Sequence, residues 1–430
     1  MSGATTGPSS KPRGRLRIWL ITVGEPLPLG DSSARLWRTG LLAQTLVDRQ
    51  HEVTWWTSAV DHFNKRFHVD RSDRVRVNAL LELQFLYGEL YTRNISAARW
   101  RNHRQIAAEF TRLAAVEEKP DVILCSYPTI ELSAAAVLFG EQHGIPVLLD
   151  IRDLWPDEMA ARLPRFLRSL APLLLWPMYR DARLALKRAT GMVAISRRYL
   201  AWGLEHAQRA GNDADAVFTH GYPSQQLSNQ ADVQNVLTEL GLDASQRVFW
   251  FVGTFVGSID LATVIEAARI LDDQNVVFVL TGSGEKDAEW RAQAHGLRNV
   301  RFTGWVDKDR LQALASIAWV GLAAYKAGAL MSLTNKLFEY MAHGLPILVS
   351  LPGEARAVVE SERCGMFYEP GSATALATAV RAMCADSSLR DAMAANARRA
   401  FEARYSATAV YDGLASHLEV VAADEAGRRR

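Results

Sequence analysis

Cysteine is scarce in this chain. Cys125, Cys364 and Cys384 are the only three in 430 residues, and no two form a CxxC pair. An odd, widely spaced set supports neither a disulfide framework nor a zinc site. The reducing cytoplasm is the simplest compartment for such a chain. Long apolar runs are missing too: none reaches the ~18 residues of a membrane-spanning helix. The opening MSGATTGPSSKPRGR lacks the apolar stretch of a secretory signal. Residues 1–15 read as a disordered tail, and 423–430, with DEAGRRR, as another. Excess charge of one sign is also absent. Lys and Arg number 49 against 47 Asp and Glu, a net +2 that offers no footprint for nucleic acid.

What is present is the composition of a soluble globular enzyme, 49% hydrophobic and 22% charged. The length suggests two or three domains. LRIWLITV opens an ordered series at Leu16, and a helix is expected from about Ala34 to Arg49. HEVTWWTS reads as a strand, RVRVNALLEL as one further alternating strand, and a long helix follows over about Ile95 to Val116. KPDVILCS, GIPVLLDIRD, GMVAIS and AVFTHG continue the strands. A polar break at 224–246 reads as a linker. The alternation then restarts with RVFWFVG, NVVFVLTGSG, NVRFTGWV, IAWVGLAA and GMFYEPGS. Strands alternating with helices mean βαβ units and parallel sheets. The expected architecture is α/β, two Rossmann-like doubly wound domains, 16–223 and 247–405, facing across a cleft. Ligands bind such sheets beyond the carboxyl ends of the strands, which directs attention to the loops that follow them.

Several of those loops carry candidate chemistry. FVGTFVGS sets Gly253, Thr254 and Gly257 between a strand and a helix, an anion site or an ordinary tight turn. TGSGEKDAEW repeats the pattern with Gly282, Ser283 and Gly284; Ser283 can meet a ligand or cap the next helix. FTGWV offers Gly304 and Trp305 as the border of a nucleobase, or a packed tryptophan. MSLTNKLFEYMAHGLPILVS is more specific. Ser332 and Thr334 are candidate helix caps. Lys336 and Glu339, three apart, share a helix face among apolar neighbours. A surface ion pair there is worth under about 1 kcal/mol. The alternative is a cation for a phosphate and a carboxylate that accepts two ribose hydroxyls.

In order, FVG, TGSG, FTGWV and SLTNKLFEYMAHGLPILVS resemble the retaining glycosyltransferases of family 4, with the GT-B fold, in the branch that serves bacterial surface polysaccharides. The resemblance runs from about Leu16 to Ala422. It implies a C-terminal domain for a sugar nucleotide, an N-terminal domain for the acceptor, and a last helix, about 406–422, returning to the first domain. It implies donor contacts at Gly253, Thr254, Gly282, Ser283, Trp305, Val306, Ser332, Thr334, Asn335, Lys336 and Glu339. Of the family's E-x7-E pair, Glu339 matches the ribose ligand, whereas the first glutamate's place holds Met331. Thr254 stands where relatives have an arginine, and no lysine lies between Gly253 and Glu285. Lys336 is therefore the expected diphosphate cation, helped by backbone donors at Gly253, Thr254 and the helix behind Gly257.

In the N-terminal half, GEPLPLGDSSAR points to Gly30, Asp31 and Arg35 beside the phosphates or acceptor. DIRDLWPDEM resembles a branch signature and clusters Asp150, Arg152, Asp153 and Asp157. It reads as a self-satisfied network, or as a site where Asp153 orients the acceptor hydroxyl. His220, in THGYP, lines the cleft or serves a hinge. Arginines interleaved with leucine and tryptophan over 162–188 suit an anionic membrane face or the solvated edge of a core helix. The expected activity is sugar transfer with retention from a nucleoside diphosphate sugar to a glycan or lipid-linked acceptor, with catalytic roles for Lys336 and Asp153. No metal or other cofactor and no nucleic-acid partner is expected. The expected place is the cytoplasm, either free or in peripheral contact with the inner face of the plasma membrane. An epimerase acting on the same nucleotides, or a non-catalytic subunit, are the rival functions.

Overall fold

The computed structural model describes residues 14–29, 36–94, 96–224, 229–243, 245–272, 275–329 and 331–428. The chain divides into two compact units, 1–218 with 411–430, and 219–410.

In the first unit an eight-stranded sheet is built from β1 (Arg17–Ile21), β2 (Glu52–Ser58), β5 (Arg74–Arg76), β6 (Leu81–Leu86), β7 (Val122–Tyr127), β8 (Val147–Ile151), β9 (Gly191–Ala194) and β10 (Ala216–Val217). A separate ribbon pairs β3 (Val60–Asp61) with β4 (Arg66–Phe67). The sheet order is β10-β9-β8-β7-β1-β2-β6-β5. All pairs are parallel except β5 with β6. The apolar central strands are buried on both faces, as helix-covered parallel strands require. Trp19, Trp55 and Trp56 lie at 0–1% exposure. RVRVNALLEL is thus not one strand. Asn78 breaks it: its Oδ1 accepts the Leu80 and Leu81 amides, both at 2.9 Å, and turns the chain back on itself. Alternating residues fit a hairpin arm as well as a long strand, so the pattern alone hid the turn.

The second unit has a six-stranded, wholly parallel sheet of β11 (Arg247–Val252), β12 (Val276–Thr281), β13 (Val300–Gly304), β14 (Ala318–Ala323), β15 (Ile347–Val349) and β16 (Gly365–Phe367). Its order is β13-β12-β11-β14-β15-β16, the doubly wound pattern in which the winding reverses between the first and fourth strands. The same reversal falls between β1 and β7 in the first unit.

Two boundaries differ from the sequence reading. The expected linker at 224–246 holds a helix, Gln230–Leu240, capped by Asn229. Val236, Leu240 and Leu242 of this segment join the core of the second unit. Polar residues fill its outer face and masked its apolar stripe. At the other end, the expected tail at 423–430 is helical to Arg428, as part of Ala407–Arg428. That helix is tied to the first unit by Arg49, whose Nη2 meets Asp412 Oδ1 at 2.9 Å and whose Nη1 meets Glu419 Oε1 at 3.0 Å. The tail expected at 1–15 lies mostly outside the described residues.

Candidate active site

The reversal point of the second unit is held open by a tyrosine. β11 and β14 pair as far as Trp250 with Gly321. Beyond that pair, the buried Tyr340 hydroxyl donates to Leu322 O at 2.9 Å and accepts the Val252 amide at 3.2 Å. Gly321 leaves the room: a Cβ there would strike the Tyr340 ring. The strands are bridged by a side chain where they part, at the position where this fold class takes ligands.

Lys336 reaches that point. Thr334 caps the helix Asn335–Ala342, its Oγ1 accepting the Lys336 amide at 3.3 Å. The buried Tyr325 hydroxyl fixes Thr334 at 2.5 Å. Ser332 is buried as well and bonds to the Glu354 carboxylate. Ser332 and Thr334 thus position the helix through buried bonds of their own, while Asn335 is exposed. The Lys336 Nζ lies 4.9 Å from the centroid of the Phe251 ring. No carboxylate lies within ion-pair distance of it among the described residues. Gly253 carries φ +150, and a Cβ there would collide with the ammonium. Burial lowers the Lys336 pKa to about 8, with Glu339 opposing the shift. A half-buried cation lacking a carboxylate partner among the described residues, at a strand end, is a site for an anion.

The expected backbone donors are largely committed elsewhere. The Gly253 amide donates to Thr281 O at 3.0 Å and the Gly282 amide to Gly304 O at 2.9 Å. A Cβ on Gly282 would strike Gly253 O, so these glycines let two loops pack backbone against backbone. The Gly257 amide donates to Glu285 Oε1 at 3.1 Å. The helix behind it, Leu261–Ile270, is capped by the buried carboxylate of Asp260, which already answers its positive end. Ser283 is exposed and does not cap the helix Asp287–Gln293, whose N-cap is Lys286. Thr254 is exposed. Trp305 is 79% exposed at the end of β13 rather than packed, with Val306 half-buried beside it. The anion site therefore rests on Lys336 far more than on amides.

Glu339, one turn after Lys336, accepts the Tyr222 hydroxyl on Oε1 at 2.9 Å. Tyr222 is 4% exposed and joins Ser406 through a β-bridge. His220, two residues earlier, is partly buried. Met331 lies against the core of this unit as an apolar neighbour.

In the first unit the acids and arginines after β8 separate into distinct roles. Asp150, fully buried, takes Arg38 Nε at 2.8 Å and Arg152 Nε at 2.8 Å. Arg152 also pairs with Glu25, and its Nη2 donates to Thr39 Oγ1 at 2.9 Å. Burial would raise the Asp150 carboxyl, but Arg38 and Arg152 outweigh it and hold the pKa at about 2. Burial would lower the Arg152 pKa, but Asp150 and Glu25 raise it. Arg152, expected at the acceptor, is spent inside a buried network that joins β1, β8 and the helix Arg38–Asp48. Asp157 is held by Tyr179 at 2.6 Å and Trp202 Nε1 at 2.7 Å. Asp153 differs: its side chain keeps contact with solvent, yet the protein packed around it and Glu158 push its pKa up to about 6. Gly30, Asp31 and Arg35 lie outside the described residues.

Two family models match the chain. That of the glycosyl transferases group 1 covers residues 246–386, and that of the glycosyl transferase 4-like domain covers 37–206. Together they take in Lys336, Glu339, Asp150, Arg152 and Asp153 and most of the chain. The chain belongs to the family-4-type glycosyltransferases. A relative from Escherichia coli K12, the glycosyl transferase WcaI, named for colanic acid biosynthesis, is 26% identical over 290 residues, 64% of this chain and 69% of its own. Sucrose-phosphate synthase from Thermosynechococcus elongatus superposes with a TM-score of 0.71 at 20% identity, covering 95% of this chain and 100% of that one. HepE from Anabaena, solved with UDP, gives 0.66 at 16% identity, covering 94% and 100%. The glycosyltransferase thus has the GT-B fold.

Sequence reasoning on this glycosyltransferase missed three tyrosines, Tyr222, Tyr325 and Tyr340. Each acts through a hydroxyl on a residue nine to more than a hundred positions away, and no local pattern marks that. THGYP drew attention to His220, while the residue that touches Glu339 is Tyr222. Among the described residues no cluster of three or more His, Cys, Asp or Glu could hold a metal ion.

Proposed function

We propose that this glycosyltransferase takes a sugar from a nucleoside diphosphate sugar and gives it, with retained configuration, to a glycan or lipid-linked acceptor in cell-surface polysaccharide assembly. The observation that carries the reading is the Lys336 ammonium, without a carboxylate partner among the described residues at the strand reversal of the second unit. The likeness to WcaI supports the polysaccharide setting, and the UDP-bound HepE structure supports a nucleoside diphosphate.

In this reading Lys336 binds the diphosphate and Glu339, steadied by Tyr222, binds the ribose. As the bond from the anomeric carbon to the diphosphate oxygen breaks, negative charge grows on the leaving group, and Lys336 stabilises it in a site of low dielectric. The acceptor oxygen attacks from the same face and passes its proton to the departing diphosphate oxygen. Asp153, with its raised pKa, is the group we assign to orient that hydroxyl. Because Lys336 meets the phosphate charge, donor binding needs no divalent cation and survives chelation. The enzyme works at the inner face of the plasma membrane. Phe166, Leu173 and Trp176, at 77%, 73% and 56% exposure, support that placement, as do the exposed Arg162, Arg165, Arg168 and Arg180 around them. No helix among the described residues is long and apolar enough to cross a membrane.

The test is a thermal-shift screen of UDP, GDP, TDP and ADP sugars, repeated on Lys336→Ala and with chelator. One nucleotide should raise the melting temperature of the native enzyme and leave that of the variant unmoved. Equal shifts in both proteins would remove the role of Lys336. Proton NMR of the product's anomeric centre then reads retention.

A further inference from the structure

The first unit contains a cavity that donor chemistry leaves unused. It lies beyond the carboxyl ends of β7 and β8, next to the strand reversal of that sheet. Its volume is about 280 Å³. Trp100, Ile130, Trp155, Met159, Leu174 and Met178 give it apolar walls.

Its charged wall sets the Arg99 guanidinium beside the Glu131 carboxylate, which also lines the cavity and faces His103. Arg99 Nη1 donates to Asn94 O at 2.7 Å and its Nε to His103 Nε2 at 3.3 Å. With Nε2 accepting, the proton of His103 belongs on Nδ1, which faces Glu131 Oε2 at 3.6 Å. The Arg99 guanidinium stands 5.2 Å from the Trp155 ring centroid. No carboxylate reaches ion-pair distance of Arg99 among the described residues. Lys65 joins it through the same asparagine, Nζ to Asn94 Oδ1 at 2.5 Å. Burial, then Arg99 and Lys65, pull neighbouring His62 down to about 4, as a local excess of positive charge does.

The rest of the wall is largely apolar and reaches the surface. Leu174 lines the cavity and is itself 53% exposed. It therefore connects the cavity to the surface that presents Leu170, Leu173 and Trp176 within a ring of arginines. A pocket that sets one arginine, Arg99, among mostly apolar walls with an exit past Leu174 fits an amphiphile with a phosphate head.

We infer that this cavity binds a lipid phosphate. The head rests on Arg99 with Lys65 behind it. The first carbons of the chain lie along Trp155, Met159 and Met178, and the remainder leaves past Leu174 toward the bilayer. The inference rests on the glycosyltransferase reading and sharpens it, since it makes the acceptor the lipid-linked kind rather than a free glycan.

Farnesyl diphosphate, a short amphiphile of this chemistry, is the probe, titrated by calorimetry into the full-length enzyme beside farnesol and inorganic diphosphate. Farnesyl diphosphate should bind at least about tenfold tighter than either fragment, the scale of one charge-assisted contact. Arg99→Ala and the milder Arg99→Gln should remove that advantage and leave farnesol unchanged. Met178→Trp, which fills the cavity, should weaken both chain-bearing probes and leave inorganic diphosphate alone. Unchanged circular dichroism in these variants excludes misfolding. Lys336→Ala should have no effect on farnesyl diphosphate. If it abolishes binding, the probe occupies the donor site and the inference falls. Binding that survives both Arg99→Ala and Met178→Trp is nonspecific adsorption and also overturns it. If instead Lys336→Ala leaves nucleotide affinity intact while farnesyl diphosphate still depends on Arg99, the donor reading fails and this one stands.

Discussion

The Tyr222 hydroxyl donates to Glu339 Oε1 at 2.9 Å, across 117 residues of sequence. Tyr222 is buried and tied to Ser406, so it holds the carboxylate in one orientation. A carboxylate that must accept two adjacent hydroxyls gains from being fixed beforehand, because less freedom is lost on binding.

Replacing Glu339 by Ala should cost nucleotide affinity about 1–3 kcal/mol, the range for a lost charged hydrogen-bond partner. Tyr222→Phe keeps the ring and removes only the tether. Its cost should be smaller, about 0.5–1.5 kcal/mol. Calorimetry with the preferred nucleoside diphosphate measures both. Full affinity in Glu339→Ala would end the ribose assignment, and full affinity in Tyr222→Phe would end that of the tether.

Gly253→Ala tests the Lys336 site without touching Lys336. The new methyl would occupy the place of the ammonium, at a backbone φ of +150 that side chains rarely adopt. Nucleotide affinity should fall as far as in Lys336→Ala, by roughly tenfold or more for a displaced charge-assisted contact. Gly241→Ala is the control: it also has positive φ, but a Cβ there meets nothing within 4 Å. It should lose some stability and keep its affinity.

Much of this site could be read from the sequence. Lys336, Glu339 and the capping Thr334 lie within six residues, and helix periodicity alone puts the two charges on one face. The alternation of strands and helices likewise fixed the two doubly wound units. What escaped were relations between distant residues. The commitment of the Gly253 and Gly282 amides depends on β12 lying alongside β11 and β13 alongside β12. The network that absorbs Arg152 draws on Glu25, Arg38 and Thr39, more than 110 positions away. The helix at 230–240 was obscured because only one narrow face of it is apolar.

Asp150 is the keystone of that network. Its removal takes away the carboxylate that the buried Arg38 and Arg152 share and leaves Arg152 with Glu25 alone as a carboxylate partner among the described residues. Asp150→Ala should therefore destabilise the protein by about 3–5 kcal/mol, read by urea denaturation. The native carboxyl is held at about 2, below its unfolded value of about 4. Its stabilisation is complete above pH 4 and is lost as pH falls toward 2. The variant should lack this component of acid unfolding. A variant as stable as the native protein would show the network to be dispensable.

The Lys336 ammonium, lowered to about 8, gives two opposite pH trends. The unfolded chain keeps this proton up to about 10.4. Between those values the unfolded state binds more protons, so Lys336 makes stability rise slightly with pH. If Lys336 binds the donor phosphates as proposed, binding needs the charged form, and affinity should fall as pH rises through 8. A phosphate beside Lys336 favours protonation, and binding near pH 8.5 should take up a fraction of a proton. Calorimetry in two buffers of different ionisation enthalpy reads that uptake directly. Lys336→Arg, charged at every pH used, should flatten the profile. An affinity that is level from pH 7 to 9.5 in the native enzyme would mean that another group carries the phosphate.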